Sequence, residues 1–257
     1  VFACTHSPYF VSGKGFEDVR LVRATVPPAT RSTSISYKQL SDYLVGRLGE
    51  DRYRKPEGVR AKIHQALQPV LREMFFAPKL ALVEGLEDVA YITTALNLDG
   101  KWDAWRSAGC HLVPVNGKSE LVQPLAIAQL LSIPVFVMFD ADSDEEDAGR
   151  RGRHKADNVR LLKLLGLDPS QAFPSSPILT DNHVIWVENL GNMVRADYSN
   201  DEWAKWKSET ESELGQPGGL EKNTLCIAGI LERAWAARRP SSTLQQLCNS
   251  LLRFAAT

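Results

Sequence analysis

The sequence predicts an α/β protein in which a parallel sheet is flanked by helices. Three short apolar runs, at residues 79–83, 110–115 and 133–139, alternate with segments of helical periodicity at 86–96 and 119–131. Strands that are buried on both faces have continuous apolar runs, and a helix between successive strands makes those strands parallel. These segments therefore predict a strand–helix–strand–helix–strand core in the middle of the chain.

Further helices and strands are expected on both sides of this core. Apolar residues at helical spacing predict helices at 37–48, 59–76, 147–165 and 200–254. Alternating or short apolar runs predict strands at 19–26 and 183–187. The Pro, Ser and Thr residues between positions 26 and 34 indicate a linker.

The composition is that of an ordinary globular protein and excludes few functions. Hydrophobic residues make up 44% of the 257 positions, and 30 Lys and Arg nearly balance 31 Asp and Glu, so net charge gives no argument for nucleic-acid binding. The sequence contains no run of 18 apolar residues, so it predicts no membrane span. The cysteines form no CxxC pair, which favours reduced, buried thiols in a cytoplasmic protein. They are Cys4, Cys110, Cys226 and Cys248.

The first candidate half-site follows the first apolar run of the core. Glu84 comes directly after that run, and Asp88 lies four residues later, one turn into the following helix. This spacing lets both carboxylates approach the same point, and Gly85 permits a sharp turn between them. Glu87 is one position off that line and is predicted to face solvent.

The second candidate half-site follows the third apolar run. Asp140 and Asp142 are alternate residues, so an extended backbone would place both carboxylates on one face. Clustered carboxylates at neighbouring strand ends repel one another unless a cation offsets them, and hard divalent ions such as Mg²⁺ or Mn²⁺ fit oxygen donors. A calcium-binding loop is excluded, because Glu145 and Arg151 stand where that loop needs Gly and Glu.

These residues resemble the signature of the Toprim fold, which topoisomerases, bacterial primases and several nucleases share. In that signature a Glu follows the first strand and an Asp-x-Asp follows a later one, as Glu84 and Asp140–Asp142 do here. The resemblance covers roughly residues 78–145. It implies a Toprim-like parallel sheet with a metal site at the carboxyl ends of the strands.

The N-terminus narrows the resemblance to the OLD (overcoming lysogenization defect) family. Residues 4–10, centred on His6, look like the switch-histidine loop that closes an ABC-type ATPase domain, and OLD proteins join such a domain directly to a Toprim domain. The resemblance implies a two-metal site for DNA cleavage, with Mg²⁺ or Mn²⁺ as the ions. The implied metal ligands are Glu84, Asp88, Asp140, Asp142 and, as a possible addition, Asp144. It also implies a C-terminal lysine, for which Lys222 is the best match, although a lysine before a helix is also a common surface residue.

The same resemblance implies a domain organisation and partners. Residues 1–30 would be the end of an ATPase domain and a linker, 31–77 a helical segment, 78–200 the Toprim domain with a helical insertion after 146, and 201–257 a C-terminal helical segment that completes the site. The expected partners are DNA and the ATPase domain. Apart from the resemblance, the helical segments 37–76 and 200–257 are interpreted either as the interface of a homodimer or as part of a DNA channel.

Other interpretations remain open at the level of sequence. The chain could be a regulatory Toprim module that binds DNA and metal without cutting, whereas a topoisomerase or primase would need further domains. The basic cluster Arg150–Lys155 is interpreted either as a DNA-phosphate contact or as a solvated loop. Glu188 either supports the metals or is an acid at a helix N-terminus. The segment Asn116–Ser119 is not a P-loop, because Leu112 stands where the motif needs Gly, but Gly117 could form a tight turn beside the site.

Overall fold

A computed structural model describes residues 3–24, 29–220 and 222–257 of the chain. The sequence predictions that concern Val1, Phe2, residues 25–28 of the linker and Glu221 beside Lys222 lie outside the described residues. No described helix combines the length and the hydropathy needed to cross a membrane.

The strands form a two-stranded hairpin and a larger mixed sheet. They are β1 (Leu21–Ala24), β2 (Thr30–Thr33), β3 (Lys79–Val83), β4 (Cys110–Pro114), β5 (Val135–Asp140), β6 (Ile178–Leu179) and β7 (His183–Trp186). The larger sheet has the order β4-β3-β5-β7-β6, in which β4, β3, β5 and β7 are parallel and β6 pairs antiparallel with β7. The predicted α/β class with a parallel sheet flanked by helices is therefore confirmed.

Helices precede, connect and follow the strands of this sheet. They are α1 (Tyr37–Leu48), α2 (Pro56–Ala66), α3 (Pro69–Arg72), α4 (Leu86–Leu98), α5 (Trp102–Ser107), α6 (Val122–Leu130), α7 (Ala148–Leu165), α8 (Leu190–Arg195), α9 (Asn200–Glu213), α10 (Thr224–Ala236) and α11 (Ser242–Ala256). The single helix predicted over 59–76 is wrong. It is interrupted before Pro69, because proline lacks an amide hydrogen and disfavours a helical conformation at the preceding residue.

The segment predicted as a linker contains regular structure. Strand β2 lies within it and pairs antiparallel with β1, so that Leu21 is opposite Thr33 and Ala24 is opposite Thr30. Two β-branched threonines support an extended conformation in a stretch that composition alone assigned to a loop. The segment predicted as a linker therefore includes a short strand at Thr30–Thr33.

The central sheet separates two apolar cores. Alternate residues of β3 point to opposite faces, so Leu80 and Leu82 pack into one core while Ala81 and Val83 pack into the other. Helices α1, α2, α6 and α7 contribute to the first core. Helices α4, α10 and α11 contribute to the second. Because both faces are covered, the strands need continuous apolar runs, which is the pattern that predicted them.

The helices before the sheet share its first core rather than forming a separate one. Leu40 and Leu44 of α1 are fully buried, and α1 contacts both α6 and α7. A hydrogen bond of 2.8 Å from the Tyr43 hydroxyl to Gln129 Oε1 joins α1 to α6. Residues 31–77 therefore stabilise the face of the sheet against which they pack.

We expect Leu44→Ala to lower the free energy of unfolding of the whole chain by about 2–5 kcal/mol, because it leaves a cavity in the shared core. All six tryptophans lie at position 102 or later, so tryptophan fluorescence reports on the sheet and the C-terminal helices. Urea unfolding should therefore shift to lower denaturant by fluorescence as well as by circular dichroism. Lys38→Ala, at an exposed position of the same helix, is the control. A fluorescence transition that stayed unchanged would contradict a shared core.

Candidate metal centre

Acidic side chains collect at the carboxyl edge of the parallel strands. Glu84 directly follows β3, and Asp140 is the last residue of β5, which is paired in parallel with β3. Asp88 lies in the first turn of α4, and Asp142 follows two residues after β5. The sequence placed these four residues at strand ends, and parallel pairing brings those ends to one edge of the sheet.

Glu84 connects the ends of the two central strands. Its Oε1 atom accepts a hydrogen bond of 2.8 Å from the Asp140 amide. Burial raises the pKa of the Glu84 carboxyl to about 7, while the Asp140 amide and the Lys118 ammonium act in the opposite direction and Asp88 and Asp142 add to the rise. The Glu84 carboxylate is therefore both a structural link between β3 and β5 and a poorly solvated negative charge.

Asp88 is the more buried partner of Glu84, with 7% of its surface exposed. Its Oδ2 atom accepts a hydrogen bond of 2.9 Å from the Gly85 amide, which fixes the turn from β3 into α4. Burial raises the pKa of the Asp88 carboxyl to about 6, against the lowering effect of this hydrogen bond. The helix start thus holds a carboxylate whose charged form is disfavoured by its surroundings.

Asp140 lies where the other acids meet. Its Oδ1 atom accepts a hydrogen bond of 3.2 Å from the Leu190 amide at the start of α8. Burial raises the pKa of Asp140 well above its usual value, and the charges of Glu84, Asp88 and Asp142 raise it further. The hydrogen bond from the Asp140 amide to Glu84 and the parallel pairing of β3 with β5 place the predicted acids at one edge of the sheet.

Asp142 has a different backbone conformation from the one that the sequence suggested. The extended backbone expected from Asp140 to Asp142 is corrected, because Asp142 has a φ of +51°. Its Oδ2 atom lies 2.5 Å from Lys118 Nζ and 2.9 Å from His154 Nδ1. A left-handed turn, not strand alternation, aims this carboxylate at its neighbours.

Asn158 fixes the loop that carries the two aspartates. Its side chain is fully buried, and its Nδ2 atom donates to the carbonyl oxygens of Ala141 and Ala172 at 2.9 and 2.8 Å. A second helix-to-loop contact is the 2.5 Å hydrogen bond from Arg151 Nη1 to the Ser143 carbonyl. Helix α7 therefore sets the conformation of the segment between Asp140 and Ser143.

The sequence did not predict three residues that contact the acids or the loop that carries Asp140 and Asp142. They are Lys118, His154 and Asn158. The segment around Lys118 was assessed only as a P-loop, although a glycine turn beside the site was expected. That turn is confirmed, since Gly117 has a φ of +114° and its amide donates to the Glu84 carbonyl at 2.8 Å. A lysine directly after a glycine turn at a strand end is the sequence signal by which Lys118 could have been found. No comparable signal marks His154 or Asn158, because their approach depends on how α7 packs.

Other predicted residues lie further from the four acids. Lys222 is 81% exposed, and its Nζ atom lies 3.7 Å from Glu87 Oε1 on the first turn of α4. Asp144 is exposed two residues beyond Asp142. Glu188 Oε2 accepts a hydrogen bond of 3.1 Å from Asn192 Nδ2, so this acid lies at the start of α8. The structure thus places Lys222 near the helix that carries Asp88 and leaves Asp144 in solvent.

The basic cluster is helical, so its interpretation as a solvated loop is wrong. It forms the first turns of α7, which begins after Asp147, whose Oδ1 accepts a hydrogen bond of 2.7 Å from the Arg150 amide. The Arg151 guanidinium lies over the Phe173 ring, whereas Arg150 and Arg153 are exposed. These two arginines project from the helix that also presents His154 to Asp142.

The donor chemistry fits a hard divalent cation, although the acids are engaged by protein groups. No set of three or more His, Cys, Asp or Glu side chains is arranged to hold a metal ion within residues 3–24, 29–220 and 222–257. Amide hydrogens and the Lys118 ammonium occupy oxygens of Glu84, Asp140 and Asp142. Four clustered carboxylates remain an oxygen-rich set, and a cation would offset their repulsion. The buried Ser143 hydroxyl, which has no hydrogen-bond partner among the described residues, is one more oxygen donor nearby.

The parallel sheet and its acidic carboxyl edge define a Toprim-type domain. Residues 75–142 match the family model described as "Overcoming lysogenization defect protein-like, TOPRIM domain". The match spans 68 of the 257 residues, includes Glu84, Asp88, Asp140 and Asp142, and supports an OLD-family Toprim region in this chain. A Toprim domain indicates metal binding and action on nucleic acid. A search of curated proteins found no match to the chain.

We expect Asp88→Asn to raise the melting temperature of the metal-free chain, because it removes a buried like charge while retaining an acceptor for the Gly85 amide. An increase of about 2–4 °C corresponds to about 1 kcal/mol for a chain of this size. Adding Mg²⁺ or Mn²⁺ should stabilise the wild type and have a smaller effect on the variant. Asp103→Asn, at an exposed position on α5, is the control. A lower melting temperature for Asp88→Asn would contradict the predicted repulsion.

Proposed function

We propose that this chain is a divalent-metal-dependent deoxyribonuclease that cleaves phosphodiester bonds with two Mg²⁺ or Mn²⁺ ions. The observation that carries the proposal is the position of four carboxylates at the carboxyl edge of a parallel sheet, inside the segment that matches the Toprim model. Burial of like charges is costly unless a cation offsets it. The arrangement is therefore suited to binding metal rather than to stabilising the fold.

The proposed ligands divide into two groups. Glu84 and Asp88 form the first, at the end of β3 and the start of α4, and Asp140 and Asp142 form the second, after β5. Asp144 is a possible further ligand. When bound, two such ions supply a water nucleophile at neutral pH and offset the charge that develops on the leaving oxygen. The chain's own contribution is to fix the carboxylates through the hydrogen bonds from the Gly85, Asp140 and Leu190 amides.

Lys222 is proposed to contribute positive charge where the phosphate becomes more negative. Its side chain is 81% exposed and pairs with Glu87, one position before Asp88. An exposed ammonium beside the acidic edge is accessible to a bound phosphate, and a positioned cation stabilises a transition state that gains negative charge. Lys222 therefore belongs to the proposed catalytic set together with the four acids.

The N-terminal half of α7 is proposed to contact the DNA backbone. Arg150 and Arg153 are exposed on this helix, which begins six residues after Asp142 and packs on the loop that carries it. Contacts of this kind would position the backbone without selecting a base sequence.

The domain organisation and partners extend the proposal to a larger assembly in the cytoplasm. Residues 1–30 would be the end of an ABC-type ATPase domain and a linker, followed by the helical segment 31–77, the Toprim domain 78–200 and the C-terminal helices 201–257. The resemblance of residues 4–10 to a switch-histidine loop supports the ATPase partner. Tyr9 and Phe10 are 75% and 71% exposed, which supports an apolar contact there. A homodimer through the helical segments 37–76 or 200–257 is a further proposal.

A second candidate is a regulatory Toprim module of an ABC-type ATPase that binds DNA and metal without cutting. The observation that favours it is that Asp142 is already held by Lys118 and His154, so the acids are not preorganised for two ions. The nuclease is the better-supported candidate, because all four acids remain grouped in the order and spacing of a cleaving Toprim site. Cleavage by the isolated chain distinguishes the two.

We expect the chain to nick or degrade plasmid DNA with Mg²⁺ or Mn²⁺ and to be inactive with EDTA. Glu84→Ala and Asp142→Ala should each lower the rate by more than about 100-fold, since even residues that only orient metal ligands are worth about 10–100-fold. Asp103→Ala is the control for loss of an acidic side chain elsewhere. Binding of DNA without cutting under every metal would support the regulatory module instead.

We expect the double variant Arg150→Gln/Arg153→Gln to weaken DNA binding and to flatten its dependence on salt. Each lost phosphate contact should reduce the slope of log affinity against log salt concentration by about 0.9, so the double variant should lose about 2. Arg106→Gln/Arg238→Gln removes two exposed arginines on other elements and should leave the slope unchanged. An unchanged slope in the first variant would exclude α7 from the DNA interface.

A further inference from the structure

Lys118 is a buried cation at the acidic edge that the proposed reaction does not use. Only 5% of its side chain is exposed, and lysine is seldom buried without a specific ionic partner. Its Nζ atom donates to Asp142 Oδ2 at 2.5 Å and to the Asp140 carbonyl at 2.6 Å. The ammonium is therefore bound to oxygens of both aspartates in the second acidic group.

The backbone before Lys118 is fixed so that this side chain must enter the site. Asn116 and Gly117 have φ angles of +66° and +114°, which produce a sharp turn after β4. The Val115 and Gly117 amides donate to the carbonyls of Val83 and Glu84 at 3.0 and 2.8 Å. The turn is thus attached to the same strand end that presents Glu84, so the backbone at Lys118 is fixed relative to the acids and only its side chain is free to move.

The charges around Lys118 match those that a bound metal would meet. Burial raises the pKa of both Glu84 and Asp140, and the Lys118 ammonium opposes that rise in both carboxyls, so its charge acts on the first acidic group as well as on the second. An ammonium that donates to a carboxylate and a carbonyl occupies oxygen lone pairs that a hard cation would use. The cation and the ammonium therefore compete for Asp142.

We propose that Lys118 is a positioning residue that serves as an internal counter-ion: it holds Asp142 in the metal-free chain and is displaced from that carboxylate when a divalent ion binds. This inference rests on the proposed metal site. His154 offers a second contact to Asp142 at 2.9 Å, so the carboxylate keeps a partner on α7 while Lys118 withdraws. The Asp140 carbonyl remains available as a hydrogen-bond acceptor for the displaced ammonium.

The decisive experiment is a titration of Mn²⁺ into DNA-free protein. Binding is measured by calorimetry and by the electron paramagnetic resonance signal of Mn²⁺. Lys118→Met should bind Mn²⁺ at least about tenfold more tightly than the wild type, because it removes a competing positive charge a few ångströms from the ions. The same variant should have a lower melting temperature without metal. Lys118→Arg keeps the charge and should stay near the wild-type affinity.

Lys101→Met is the matched control, because it removes another lysine that pairs with an aspartate at 2.6 Å, at the far end of α4. Generic loss of positive charge would tighten Mn²⁺ binding in both methionine variants alike and would overturn the proposal. An affinity of Lys118→Met that is equal to or weaker than that of the wild type would also overturn it. Damage to the fold weakens metal binding, so a gain in affinity cannot come from misfolding.

A measurement on the wild type covers the case in which Lys118→Met does not fold. A buried, hydrogen-bonded ammonium gives a slowly exchanging ¹⁵N–H signal in the nuclear magnetic resonance spectrum. The signal that is present in the wild type and absent from Lys118→Arg is assigned to Lys118. Mg²⁺ should shift this signal and increase its exchange with water, and a signal that stays unchanged at saturating Mg²⁺ would overturn displacement. If the wild type binds neither Mg²⁺ nor Mn²⁺, the proposed function fails together with this inference, whereas normal binding with an unchanged signal removes the inference alone.

Discussion

The hydrogen bond from the Asp140 amide to the Glu84 carboxylate is the interaction on which the rest of the site depends. It ties the ends of β3 and β5 together at the edge where the acids collect. The acceptor of this hydrogen bond is a half-buried carboxylate. The contact that joins the two strand ends therefore also places a poorly solvated charge between them. Glu84 therefore has a structural role and a role in the candidate site through the same carboxylate, and the neighbouring elements pack around it.

The two helical layers make the accumulation of charge possible. Helix α4 delivers Asp88 from one face of the sheet, and α7 holds the loop around Asp142 from the other through Asn158. Each layer is fixed to the sheet by its own apolar core. The hydrophobic free energy of both cores offsets the repulsion at the edge, so the acids need not contribute to stability.

The sequence was sufficient for the four parallel strands of the sheet, because buried parallel strands have an apolar pattern that depends only on neighbours along the chain. It did not indicate the two-residue strand β6, which pairs antiparallel at the edge. It was also sufficient to place Glu84 and Asp140 at strand ends. It was insufficient for Asp142, whose left-handed backbone depends on contacts from Lys118 and from helix α7. The role of His154 was missed for the same reason, because only the packing of α7 brings it to the aspartate. Lys118 did have a local signal in the glycine turn before it, although its partner Asp142 is distant in sequence.

The positive φ of Asp142 limits which side chains this position tolerates, independently of any metal. Asp and Asn adopt the left-handed region more readily than other non-glycine residues, because their short polar side chains bond to nearby groups. Glutamate has the charge without this conformational tolerance, and glycine has the tolerance without a side chain. Aspartate is the one residue type that readily combines a left-handed backbone with a negatively charged side chain. The φ angle at position 142 therefore restricts the residue type there as strictly as the requirement for a carboxylate does.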